Sequence, residues 1–283
     1  MGFQTLPSSN GRDERPWWLI ALVVIGVAIA AVIIANDIYA QVFFTVSRGI
    51  WITVFVSVVA FALASALGLL IALAGISDSL VLRQAARFYI EVVRGIPVLV
   101  LLFYIAFAGA PGLVDLYNFL ITPLVEGGWL KTAQVRDISL MWRAIIALMI
   151  GYSAFIAEIF RAGFQSVDKG QIEAAMALGL NRAQRFRLIV FPQAIRVIFP
   201  PLSNDFVAMV KDSSLVSVLG VADISQAGKI YASGSFRFFE TYSIVAYIYL
   251  VLTIGLSLCL RQVEKRLKNR GREPERRSAY RST

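Results

Sequence analysis

Lys211 and Asp212 stand side by side within a mostly apolar stretch, 201–221. About ten residues separate them from either end, which places them near the middle of a bilayer if that stretch crosses one. An ionised side chain there is costly unless it faces protein or water, so both are candidates for handling a polar solute. Asn204, Val207 and Lys211 share one helical face by their spacing. The competing reading is a buried lysine–carboxylate pair that fixes helix packing, with Glu158 as a conceivable partner. Two more pairs, Glu91 with Arg94 and Glu158 with Arg161, are three residues apart and able to neutralise each other on one helix face. They read either as structural ion pairs at a membrane edge or as pairs that re-form between conformations.

Other chemistry is excluded by composition. The chain has no histidine, which removes histidine acid–base catalysis, histidine metal ligation and histidine pH switching. One cysteine, Cys259, sits in an apolar run, so neither an intrachain disulfide nor a cysteine metal cluster is expected. A phosphate-binding loop needs Gly-x-x-x-x-Gly-Lys-Ser/Thr. The Gly228–Lys229 pair is followed by Ile230 and has Asp223 where the first glycine belongs. Neither a nucleophile elbow nor a paired-carboxylate site is present, so a membrane enzyme is a remote reading.

The elements that position these residues are membrane helices. Hydrophobic residues make up 58% of the 283 and charged residues 16%, against about 25% charge in soluble domains. Mean hydropathy is +0.71. Six runs are long and apolar enough to read as spans: 17–35, 49–76, a third run, 95–114, interrupted by Pro97 and Pro111, whose helix is expected from about Arg87 to Ala108, then 144–157, 201–221 and 241–260. The runs are continuous, unlike the alternating segments of a barrel. The first exceeds a signal-peptide core in length and reads as a retained anchor. With the N-terminus inside, the cytoplasmic segments 1–16, 76–95, 161–196 and 261–283 hold 20 basic residues and the outside segments hold 4. That asymmetry places both termini in the cytoplasm. It also accounts for the net charge of +9 without nucleic acid, and makes the basic tail 263–283 a solvated topology anchor. The segment 223–240, with Phe236, Phe238 and Phe239, reads as an external surface segment.

The cytoplasmic stretch between the fourth and fifth spans is the richest in signals. Residues 171–178 are helix formers with Glu173 near their start. Gly179 suits a helix C′ position, and Asn181 can cap a next helical piece with Arg182, Arg185 and Arg187 on it. Pro192 and the pair Pro200–Pro201 are expected to break the backbone before the fifth span. Ala174, Ala175 and Ala177 would let another protein approach the backbone closely.

Gly170-Gln171-Ile172-Glu173-Ala174-Ala175, Gly179, Ile189 and Pro192 resemble the EAA loop of ABC-importer permeases. Three further blocks resemble the polar amino-acid subfamily. These are Tyr89-Ile90-Glu91-Val92-Val93-Arg94-Gly95-Ile96-Pro97, Ala157-Glu158-Ile159-Phe160-Arg161 within 151–179, and Leu202-Ser203-Asn204-Asp205-Phe206 followed by Lys211-Asp212-Ser213-Ser214-Leu215. Four blocks in order cover about 45–262.

The resemblance implies an all-α integral membrane protein with a five-helix type I importer core and one extra N-terminal helix. It implies a permease subunit of the bacterial inner membrane, working by alternating access for polar amino acids, with no cofactor in this chain. ATP and Mg would be bound by a separate ATP-binding cassette subunit docked on the coupling loop 164–195. A second permease chain, the same or a paralogue, and an extracytoplasmic amino-acid-binding protein would complete the assembly. Lys211 would then meet a substrate carboxylate and Asn204 offer an amide, with Asp212 and Glu158 as further pathway candidates. The chain departs from the family in its extra span, 17–35, and its long external segment, 110–139. The rival reading is an ion-coupled secondary transporter of small zwitterions, or ABC import of opine-like compounds.

Overall fold

The protein, here a computed structural model, is described over residues 17–279, and every described element is helical. The expected cytoplasmic segment 1–16 lies outside the described residues, as does the end of the tail beyond Ala279. Twelve α-helices follow in order: α1 (Trp17–Ala35), α2 (Asp37–Ser47), α3 (Ile50–Gly75), α4 (Leu80–Gly95), α5 (Val98–Tyr104), α6 (Ala110–Glu126), α7 (Leu140–Gln165), α8 (Lys169–Ala177), α9 (Arg182–Arg185), α10 (Phe191–Asp212), α11 (Ile224–Ser235) and α12 (Phe238–Ala279). Five runs are long and apolar enough to cross a bilayer: Asp37–Gly75, Val98–Glu126, Leu140–Gln165, Arg182–Leu219 and Phe238–Leu267. Helix α1 adds a shorter apolar stretch, Ile20–Ala35.

The bundle is built on α3 against α7. Val56, Ala60, Ala64 and Ala72 are buried at four-residue spacing on α3, with Gly68 completing the stripe. A Cβ at Gly68 would fall 2.9 Å from the Ser153 carbonyl oxygen and 2.9 Å from the Ile156 side chain. In hydrocarbon, helices gain little from apolar contact itself, and small residues bring backbones close enough for dispersion to hold them. Met209, Val216 and Leu219 close this core from the fourth run.

Prolines act differently from expectation. Pro97 does end a helix, because the preceding residue is forced out of the helical region: Ile96 has φ −101° and ψ 127°. The expected helix from Arg87 to Ala108 is therefore two, with α4 ending at Gly95 and a new run starting at Val98. Pro111 does not end that run. A π-helical turn, Ile105–Gly109, precedes it and widens the helix where the ring would clash. The amide of Ala110 bonds the Ile105 carbonyl, and Pro111 has no N–H for Ala106 in the same register. Arg143 supplies it instead, donating from Nη1 to the Ala106 carbonyl at 3.3 Å. Helix α6 then continues to Glu126, so only Gly127–Ser139 of the expected external segment 110–139 lies outside α-helix, with a 3-10 turn at Val135–Asp137. Asn118 holds this loop through both polar groups of Ala133, at 2.8 and 2.9 Å.

A second π turn, Phe186–Val190, precedes Pro192, which starts α10 rather than breaking the chain. Pro200 and Pro201 lie inside α10. They leave the carbonyls of Arg196 and Val197 without helical donors, on residues that are themselves exposed.

The segment 223–240 is mostly helix α11, which buries Ile224, Gly228 and Ala232, and so is not a plain surface segment. Helices α2, α11 and α12 share a second core around Val42, Val46, Ile224, Ile244 and Ile248. Asp223 caps α11 and is fully buried, accepting from the Gln226 amide at 2.9 Å and the Tyr249 hydroxyl at 3.2 Å. Burial pushes its carboxyl above the usual carboxylate value, and those hydrogen bonds pull partly back. The ionised form is therefore the costly one. Its penalty is absent below the ordinary pKa of 3.8 and appears as pH rises through the raised value. Asp223→Asn keeps a capping side chain and removes the charge. Its melting temperature in detergent should exceed the native one at pH 7.5, with the gap closing as the pH falls toward 4. A gap equal at both pH values would mean that charge burial is not what the substitution changes.

Candidate functional site

The loop after α7 is rigidly specified by local chemistry. Asp168 caps α8, accepting from the Gln171 amide at 3.3 Å, and Gly170 lies against its carboxylate. Helix α8 ends in paired bonds, Gly179 N to Met176 O at 2.9 Å and Leu180 N to Ala175 O at 3.1 Å, with Gly179 at φ +77°. Asn181 then starts α9 in a capping box with Gln184, at 2.9 and 3.0 Å. Gln193 Nε2 donates to Gln171 Oε1 at 2.6 Å, tying the start of α8 to α10.

This geometry sorts the residues of the loop. Ala175 is buried and faces its own chain, so it is not among the contact residues expected from its size. Glu173, Ala174 and Ala177 are exposed. With them stand two apolar side chains that the sequence reading passed over, Met176 at 48% and Leu178 at 80% exposure. Their signal was available: two large apolar residues at the end of a short capped helix outside the spans.

The charged pairs are rearranged. Arg94 turns away from Glu91 to Glu158, 3.7 Å off, and its guanidinium lies 5.3 Å from the centre of the Phe155 ring. Arg161 binds Glu158 through Nε and Nη2 at 3.1 and 3.2 Å. Glu158 is thus held between two arginines, α4 is tied to α7, and the conceivable Lys211–Glu158 pair is not formed.

Lys211 is exposed and, among the described residues, makes no ion pair. The run that carries it begins at Arg182, not near 201, so Lys211 sits in the last turn of α10. Asp212 accepts from the Tyr152 hydroxyl at 2.8 Å, linking α10 to α7. Asn204 and Val207 line a shallow groove against Ser257 and Arg261 of α12, away from Asp212. A missed residue is Asp205, whose Oδ2 is buried with no hydrogen-bond partner among the described residues. Such a group in an apolar span is costly unless something polar meets it.

Five helical runs able to cross a bilayer, with a short capped helix between the third and the fourth, define a multi-pass membrane protein. The chain belongs to the family of binding-protein-dependent transport system inner membrane components, whose model matches residues 64–269. It is 38% identical over 214 residues to the probable amino-acid permease protein YxeN of Bacillus subtilis, covering 76% of this chain and 87% of that protein. It is 35% identical over 221 residues to the glutamine transport system permease protein GlnP of Escherichia coli, covering 78% and 92%. A solved amino acid ABC transporter with histidines superposes with a TM-score of 0.65 at 36% identity, over 82% of this chain and 97% of that one. The MetNI methionine ABC transporter shares the fold, with a TM-score of 0.59 at 17% identity. This membership leaves the secondary-transporter alternative without support.

Proposed function

We infer that the chain forms half of the membrane pathway of an importer for polar amino acids, driven by ATP hydrolysed on a separate subunit. Its transmembrane domain covers 45–262, with the coupling loop at 164–195. The single observation that carries the division of labour is the α8 surface. A nine-residue helix, fixed at both ends by caps and tied back through Gln171, presents Met176 and Leu178 to water. An apolar tip held this firmly suits a partner protein that must be pushed and pulled. The amino-acid reading is supported by relatives named for amino-acid and glutamine transport. A second permease chain, the same or a paralogue, faces this one, and a binding protein delivers substrate from outside. The 20-to-4 division of basic residues supports both termini in the cytoplasm.

In the pathway, Lys211 would meet a substrate carboxylate. Asp205 Oδ2, without a hydrogen-bond partner among the described residues, would meet an ammonium group, while Asp212 is held in place by Tyr152. The test is co-purification with the ATP-binding subunit, reconstitution, and hydrolysis stimulated by loaded binding protein. Lys211→Met keeps length and removes charge. Uptake per ATP hydrolysed should fall about tenfold, the loss of one charge-assisted hydrogen bond. Failure of that variant to assemble would make Lys211 structural, and unchanged uptake would remove it from the pathway.

A further inference from the structure

Between α4 and the end of α7 lies a cavity of about 450 Å³ lined by Arg87, Glu91, Glu158, Arg161 and Gln165, with Gly75 of α3 also in its wall. Its size is that of a small-molecule site. Its walls carry charge in opposed pairs: Arg87 and Glu91 one turn apart on α4, Glu158 and Arg161 on α7. The α7 pair is satisfied internally, and Glu158 also by Arg94. Arg87 and Glu91 are exposed and, among the described residues, form no ion pair. The cavity thus offers one uncommitted cation and one uncommitted anion on a wall whose neighbouring side chains stand about 5–6 Å apart.

We propose that this cavity binds a zwitterionic head group, its anionic oxygens toward Arg87 and its ammonium toward Glu91. Two sources carry that chemistry: the head of an α-amino acid and the head of an ethanolamine phospholipid. The site is separate from Lys211 and Asp205, which lie on α10. It sits at the root of the coupling loop, since Gln165 precedes the α8 cap Asp168 by three residues. The choice of amino-acid probe rests on the importer reading above; the site does not.

The experiment uses the assembled permease–ATPase complex in phosphatidylcholine nanodiscs, without binding protein. Radiolabelled L-glutamine and glycine are the probes, measured by equilibrium dialysis. One class of saturable sites per permease chain should weaken at least about tenfold in Arg87→Gln and in Glu91→Gln, each of which removes one charged contact. Arg87→Lys should keep most of the binding, which separates loss of charge from loss of packing. If the lipid is the ligand, neither amino acid binds this class. Adding phosphatidylethanolamine to the nanodiscs then raises the melting temperature of the native complex, and neither glutamine variant shows the rise. Binding that is indifferent to both variants, with no ethanolamine-dependent stabilisation, overturns the proposal. Hydrolysis that ignores loaded binding protein would instead sink the importer reading, and the dialysis result would stand by itself.

Discussion

Replacing Leu178 by Asp is expected to leave the protein in the membrane at its normal level and to weaken its hold on the ATP-binding subunit by about ten- to a hundredfold. The estimate follows from burial: covering an exposed leucine contributes about 1.5–3 kcal/mol, and a carboxylate put in its place must be desolvated. Leu178 is 80% exposed, so its loss removes little packing within its own fold. Pull-down of the ATPase and stimulated hydrolysis in proteoliposomes measure the effect. Gly179→Val reaches the same surface by another route. At φ +77° a β-branched residue is strained, so the paired bonds that close α8 are lost and Leu178 is re-aimed. Both variants should insert normally, because the changes lie outside the spans. If both bind the ATPase and transport at native rates, α8 is not the coupling element.

The second large effect is structural. Gly49, between α2 and α3, lies against the backbone of Asp223 and Ile224 where α11 begins. A Cβ there would overlap the Asp223 carbonyl carbon and the Ile224 amide, and fall 2.6 Å from the Asp223 carbonyl oxygen. Backbone has no rotamer with which to escape. Gly49→Ala must therefore push α11 off the α2–α3 junction, breaking the 3.2 Å bond from the Ile224 amide to Thr53 Oγ1 and disturbing the buried Asp223 cap. A cost of at least about 3 kcal/mol is expected, at or beyond the top of the usual overpacking range. The reading is the monodisperse fraction and melting temperature in detergent. Gly234→Ala is the control: it lies in α11 with nothing within 4 Å of a new Cβ, and should be neutral or stabilising by up to about 1 kcal/mol. Equal behaviour of the two variants would count against the close approach at Gly49.

The loop that carries α8 and α9 was legible because its order is local. Gly179 at a C′ position and Asn181 as a cap follow from bonds that span three to five residues, and both stand in the structure as the residue types require. Long apolar runs were legible for the same reason, since a bilayer demands backbone bonds satisfied within each segment. Their ends were less so. Pro111 and Pro192 look like stops, yet each follows a π turn that absorbs the ring, and in the first case a distant arginine supplies the missing donor.

What sequence alone determined, then, is the class of protein, the number of apolar runs and the shape of the α8–α9 turn. What only tertiary structure decided is which side chains meet. Arg94 has Glu91 three residues away, but the stripe of small residues on α3 draws α7 in, and α4 packs beside both. Glu158 is thereby within reach, backed by the Phe155 ring and a second arginine. Ala174 and Ala175 are neighbours of equal size, and only the packing of α8 on Val167, Ala194 and Ile198 turns one inward and leaves the other exposed. Asp205 and the cavity beside Arg87 were equally out of sight, because burial without a partner, or an opening between two helices, is a property of faces that meet. Helix faces are written in the sequence by period, but the pairing of faces is set by close packing between segments far apart in the chain.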